Sequence, residues 1–142
     1  MKTLIDVNVL IALIDGDHVH HRRAHDWFEH EAERGWTTCP LTQNGLLRVL
    51  GNPRYPNSPG GPAHVADILD ALIAHPRHEF WPDDVSMLDK RLFVRDTLGP
   101  SARLTDSYLL ALAVSKGGRF ATLDLRLSTA GVIGGKAALV VI

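Results

Sequence analysis

Short apolar stretches of strand character alternate with longer stretches of helical period along the chain. This order constrains the fold more than any other feature. "TLID" reads as a strand, and "VNVLIALI" follows at once as a helix. "HHRRAHDWFEHEAERG" is an amphipathic helix with Ala24, Trp27, Phe28 and Ala32 on one face and Gly35 as its stop. "WTTCP" is a second strand, and "LTQNGLLRVL" a helix ended by Gly51-Asn52-Pro53. "RYPNSPGGP" is a loop. "AHVADILDALIAHP" is a helix that turns Val65, Ile68, Leu69, Leu72 and Ile73 inward, and "HEFWP" a third strand. "DVSMLDKRLFVRDTLG" reads as a helix with Asp83 or Asp84 near its start. "LTDSYLLALAVSKGG" is the most apolar helix, "RFATLD" a fourth strand and "AALVVI" a fifth. Such alternation predicts an α/β fold, a parallel sheet with helices on both faces. Ligands in such sheets sit at the carboxyl ends of the strands.

The bulk numbers agree with one ordinary domain over residues 1–142, with 45% hydrophobic and 22% charged residues. No repeat, low-complexity tract or linker divides the chain. No stretch approaches the roughly 20 apolar residues that span a bilayer. The N-terminus lacks the long apolar region and cleavage site of a signal peptide. The lone Cys39 has no intramolecular partner, which points to a reduced, cytoplasmic compartment, and its place at a strand end before Pro40 marks a small core residue. A net charge of −1 leaves nucleic-acid binding to local clusters of Lys and Arg.

Three acids fall on one predicted rim. Asp6 ends the first strand, Asp124 ends "FATLD", and Asp106 lies in the first turn of the helix after "SARLT". Carboxylates gathered so closely repel unless protons or a cation compensate them. Hard oxygen donors suit Mg²⁺ or Mn²⁺. Each acid also has an ordinary role open to it: Asp6 or Asp124 as a helix cap, Asp106 as a complement to the helix dipole.

"LIDVNVLIAL", "PLTQNGLLRVL" and "LTDSYLLALAVSKGGRFATLDLRL", in that order and at these separations, resemble the PIN domain, in particular the VapC toxins of bacterial toxin–antitoxin pairs. The likeness covers nearly the whole chain. It implies a single PIN-like domain, a three-layer α/β/α fold around a central four- to five-stranded parallel sheet. It implies a metal-dependent endoribonuclease whose acidic pocket holds Mg²⁺ or Mn²⁺. Residue by residue, it makes Asp6, Asp106 and Asp124 the catalytic metal ligands, with Asn8 as a supporting polar group and Thr122 as a hydroxyl lining the same pocket. It also implies a homodimer, and a small antitoxin protein covering the acidic groove.

The chain departs from the family at one point. An acid usually opens the helix after the second strand, and here Gln43 stands in its place. The amide keeps the shape and one acceptor oxygen but carries no charge. No other acid lies nearby to substitute: the closest, Glu33, belongs to the preceding helix. A second ion, if the reaction uses two, then binds more weakly.

Candidates for phosphate contacts are Arg48, Arg54, Arg103, Lys116, Arg119 and Arg126, with Arg48 one turn beyond Gln43. Tyr55, beside Arg54, offers a ring on which a base can stack. His18, His20, His21 and His25 cluster, and His21 and His25 share a helix face, but without the acid of a metalloprotease motif they read as a solvated helix start. The expected reaction is hydrolysis of RNA by water. Two other classes stay open. One is a PIN-like RNA-binding module that has lost catalysis through Gln43. The other is a phosphohydrolase of the haloacid dehalogenase type, against which stands Asn8 where that class has its second Asp.

Overall fold

The computed structural model describes all residues, 1–142. Five parallel strands form one sheet in the order β3-β2-β1-β4-β5. They are β1 (Thr3–Ile5), β2 (Trp36–Thr38), β3 (His78–Phe80), β4 (Arg119–Thr122) and β5 (Leu139–Val141). The helices are α1 (Val7–Ile14), α2 (His21–Glu31), α3 (Pro40–Leu50), α4 (Pro62–Ile73), α5 (Leu104–Ser115) and the single turn α6 (Gly135–Ala138). The expected α/β architecture is therefore present, with five strands.

Successive residues of a strand point to opposite faces, and β1 shows the consequence. Leu4 joins a core of α5 residues with Phe120 and Cys39. Ile5 joins the other core, built from α1 to α4 with Trp36, Leu46 and Val65. Both faces of the sheet are thus covered, as a parallel sheet requires. From β1 the chain steps outward to β2 and β3 on one side, then returns through α5 to β4 on the other. The direction of winding reverses between β1 and β4, so a crevice opens at their carboxyl ends. Asp6 and Thr122 stand there.

α3 is pressed close to α1. A β-carbon at Gly45 would lie 2.7 Å from a methyl of Val7, so only glycine permits this approach. The first turn of α3 is held by Pro40 and by a capping box in which the Thr42 hydroxyl accepts the Cys39 N–H at 3.0 Å.

One expected helix is not one. Residues 84–99 form turns, a 3₁₀ turn at Arg95–Thr97 and an isolated antiparallel bridge from Phe93 to Val132. Short polar side chains take over the backbone there: Ser86 accepts the N–H of Leu88, and Asp89 that of Arg91. The apolar residues that suggested a helical period, Val85, Met87, Leu92, Phe93 and Leu98, anchor this strap separately on the α5 core. Asp83 caps no helix of its own. Its carboxylate accepts the N–H of Leu41 at 3.1 Å, at the start of α3.

Candidate active site

The end of β1 turns directly into α1 because Asp6 caps it. One oxygen of Asp6 accepts the Val7 N–H at 2.7 Å. The other accepts the Thr122 hydroxyl at 2.7 Å, across the gap from β1 to β4. That hydroxyl is saturated: it also accepts from the Asn8 amide at 3.0 Å and from the Asp124 N–H at 3.1 Å. Asn8 in turn accepts the Leu123 N–H at 3.1 Å. Asn8 and Thr122 thus lock the exit of β4 onto the start of α1, and Asp124 is delivered to the same rim.

Asp6 is 7% exposed. Burial pushes its carboxyl up to about 6, against the Thr122 and Val7 hydrogen bonds, and the charges of Asp106 and Asp124 push the same way. Asp106, in the first turn of α5, is also raised, by burial first, with the Arg103 charge opposing and Asp124 reinforcing. Asp124 is lowered instead, by the Arg126 N–H that it accepts and by Arg103. The structure therefore brings all three acids within electrostatic reach of one another.

A cation already sits among them. The Arg103 guanidinium donates to Asp124 at 2.6 Å and lies 3.6 Å from Asp106. Arg103, a candidate phosphate contact by sequence, is paired instead, and this pairing is not legible along the chain because the two partners are joined only through the α5–β4 crossover. Gln43 donates its amide to the Thr38 hydroxyl at 3.0 Å, and Thr38 also bonds the His78 ring at 2.8 Å. Neither Thr38 nor His78 stood out in the sequence. The carbonyl oxygen of Gln43 makes no protein hydrogen bond.

The other candidates separate. Arg48 and Arg54 are exposed. Lys116 pairs with Asp84 at the far end of α5, and Arg119 pairs with Glu31 at the start of β4, so neither lies on the acidic rim. Tyr55 is not free to stack on a base, since its hydroxyl donates to Asp15 and its ring packs on the α1–α4 core. His21 and His25 donate to the Ala12 and Leu13 carbonyls, at 2.7 and 3.2 Å, and so cap the end of α1. Asp83, remote along the chain, supplies a further acid at the start of α3, where it accepts the Leu41 N–H.

Nowhere do three or more His, Cys, Asp or Glu side chains converge as a ready-made ligand shell. A closed zinc site is therefore not built here. The acids at the rim, Asp6, Asp106 and Asp124, offer only oxygen donors. That chemistry fits Mg²⁺ or Mn²⁺, which bind through one or two carboxylates and keep several waters.

Known proteins share both sequence and fold. The PIN domain family model matches residues 3–132, a span that contains β1 to β4 and all three acids. Ribonuclease VapC44 of Mycobacterium tuberculosis is 50% identical over 135 residues, covering 94% of each chain. Ribonuclease VapC39 of the same organism is 40% identical over 128 residues, covering 90% of this chain and 92% of that one. Among solved structures, VapBC2 from Rickettsia felis, bound to a DNA fragment from its promoter, superposes with a TM-score of 0.60 at 12% identity, covering 91% of this chain and 95% of that one. The crevice between β1 and β4 is thus a feature of a known fold, and by the extent of these matches the chain belongs to the VapC group of the PIN-domain family.

Proposed function

We infer that the protein is an endoribonuclease, the toxin of a toxin–antitoxin pair, and that a divalent cation held at Asp6, Asp106 and Asp124 drives the cleavage. The single observation that supports this most is Asp6. A carboxylate buried to 7% exposure, facing two further acids, is a poor choice for a helix cap alone and a good one for holding a cation. A bound Mg²⁺ or Mn²⁺ supplies charge neutralisation for the phosphodiester and lowers the pKa of a water. The chain's own residues do the rest. Thr122 and the Val7 N–H fix both oxygens of Asp6, so its orientation costs nothing further when substrate arrives. Asn8 holds the β4 exit so that Asp124 stays beside Asp6. Arg103 offsets the charge of Asp124 and Asp106 until a cation enters. Gln43 offers a neutral oxygen in place of a charged one.

The whole of residues 1–142 acts as one domain in this reading. Its work is in the cytoplasm, in line with the single buried thiol of Cys39, which burial raises to about 11 and so keeps inert. No helix is long and apolar enough to cross a membrane. An antitoxin covers the acidic groove, and the toxin pairs as a homodimer, as the family likeness suggests.

The test is digestion of total RNA by purified protein. RNA is cut in Mn²⁺ and left intact in EDTA, and Asp6→Ala leaves it intact in both. Cutting by Asp6→Ala at the wild-type rate overturns the assignment. RNA binding without any cutting in Mn²⁺ favours the non-catalytic module. Activity on p-nitrophenyl phosphate without RNA cleavage favours the phosphohydrolase.

A further inference from the structure

A second feature adjoins the acids and shares one of them. A pocket of about 200 Å³ opens next to Asp106, and no hydrophobic side chain lines it. Asp106 itself lines it, together with Arg103, Arg126, Ser107 and Ser128, and Gly131 leaves one wall bare. Gly131 is tight against Leu98, with a would-be β-carbon 2.9 Å from that side chain, so this wall stays without a side chain of its own. One of the two guanidinium groups is taken by Asp124 and Asp106, so a single free guanidinium and two hydroxyls remain as donors for tetrahedral oxygens, beside one carboxylate.

The two arginines differ. Arg103 is engaged with Asp124 and Asp106. Arg126 is exposed and takes part in no ion pair of the fold. Its backbone N–H is what binds Asp124, at 2.9 Å, so its side chain is left over for something else. Four of the six cationic candidates from the sequence lie elsewhere or make other pairs; these two alone line the pocket beside an acid of the crevice.

We propose that the Arg103–Arg126 pocket is a phosphate subsite for single-stranded RNA. It holds the phosphodiester next to the one being cut, with Arg126 as the free donor and Ser128 beside it. This rests on the nuclease reading above. It goes further by assigning a specific place for the backbone, on the Arg126 side of Asp106. Arg126 is a binding residue in this account and not part of the chemistry. Because it is anchored by backbone rather than by its guanidinium, its side chain can be replaced without moving Asp124.

The experiment measures binding first, on the full chain in EDTA, where no cleavage occurs. Fluorescence anisotropy follows a labelled single-stranded RNA at several salt concentrations. Arg126→Ala raises Kd about five- to tenfold and reduces the slope of log affinity against log salt by about 0.7, the value for one phosphate contact on a single strand. Arg126→Lys recovers part of both. Ser128→Ala weakens binding in the same direction, by less. An unchanged Kd and slope for Arg126→Ala overturns the proposal. Cleavage in Mn²⁺ is measured next. The proposal predicts a raised KM with kcat held within about twofold, the signature of lost uniform binding. A lowered kcat at constant KM means that Arg126 serves by fixing Asp124, and overturns the subsite. An RNA with one neutral methylphosphonate beside the cut linkage gives the last check. It weakens binding to wild type and costs Arg126→Ala nothing more; equal losses in both place the contact elsewhere and overturn the assignment. Wild-type protein that binds RNA in this Arg126-dependent way but never cuts it supports the subsite while sinking the nuclease reading.

Discussion

Asp6 sits where a free carboxylate is costly, and that cost can be measured. Its ordinary value is 3.8 and its folded value is about 6. Below the lower value both folded and unfolded chains carry a proton, so the group costs nothing. Between the two values the unfolded chain ionises while the folded one resists. Above the higher value the penalty is complete, about 3 kcal/mol from a shift of roughly two units. In the metal-free protein, stability from this group therefore falls as pH rises from about 4 to about 6. Asp6→Asn removes the charge penalty and also one of the two acceptors that Val7 and Thr122 use, a loss that does not vary with pH. Its melting temperature relative to wild type, measured in EDTA, therefore rises from pH 4 to pH 7.5, while RNA cleavage is lost. A difference that stays constant over that range contradicts the picture of a strained acid. The acids themselves were legible in the sequence, because an Asp that interrupts or ends an apolar strand is conspicuous. Arg103 as their counter-ion was not, since nothing local ties it to Asp124. Nor was Tyr55, whose hydroxyl finds Asp15 only once α1 and the loop after α3 are side by side.

Among the elements, α3 decides how the rim is closed. Its first turn carries Gln43, tied to β2 through Thr38, and its next turn crosses α1 at Gly45 over Val7. Gly45→Leu forces the two helices apart. Overpacking of this kind costs about 1–3 kcal/mol. The expected result is a lower melting temperature together with a lower kcat, because Val7 is the residue whose N–H holds Asp6. Unchanged stability in thermal denaturation contradicts the close crossing. The strands and most helices were readable from period and from turn residues. The strap over residues 84–99 was not. Its apolar residues recur at spacings that a helix can use, but Pro82 before it, Pro100 after it, and the Ser and Asp side chains within it favour turns. Tertiary anchoring on α5 then replaces the hydrogen bonds that a helix would have made.

At the scale of the whole molecule, the winding order creates the site. The chain leaves β1, fills one side of the sheet, and returns to place β4 against β1, so residues from both ends of the polypeptide meet. The overall charge of −1 hides this gathering of acids, with Arg103 and Arg126 set against them in a pocket that Asp106 also lines. The order of elements announced the crevice; the side chains around the pocket could be grouped only once the crossovers were in place. On the reading proposed above, this crevice holds a divalent cation through Asp6 and its two companions. Direct titration of the purified, metal-free protein with Mn²⁺ tests it, read by calorimetry at pH 7.5. Wild type binds, Asp6→Asn binds at least about tenfold more weakly, as expected when a ligand charge is removed, and Gln43→Glu binds more tightly. Equal Mn²⁺ affinity in wild type and Asp6→Asn would contradict it.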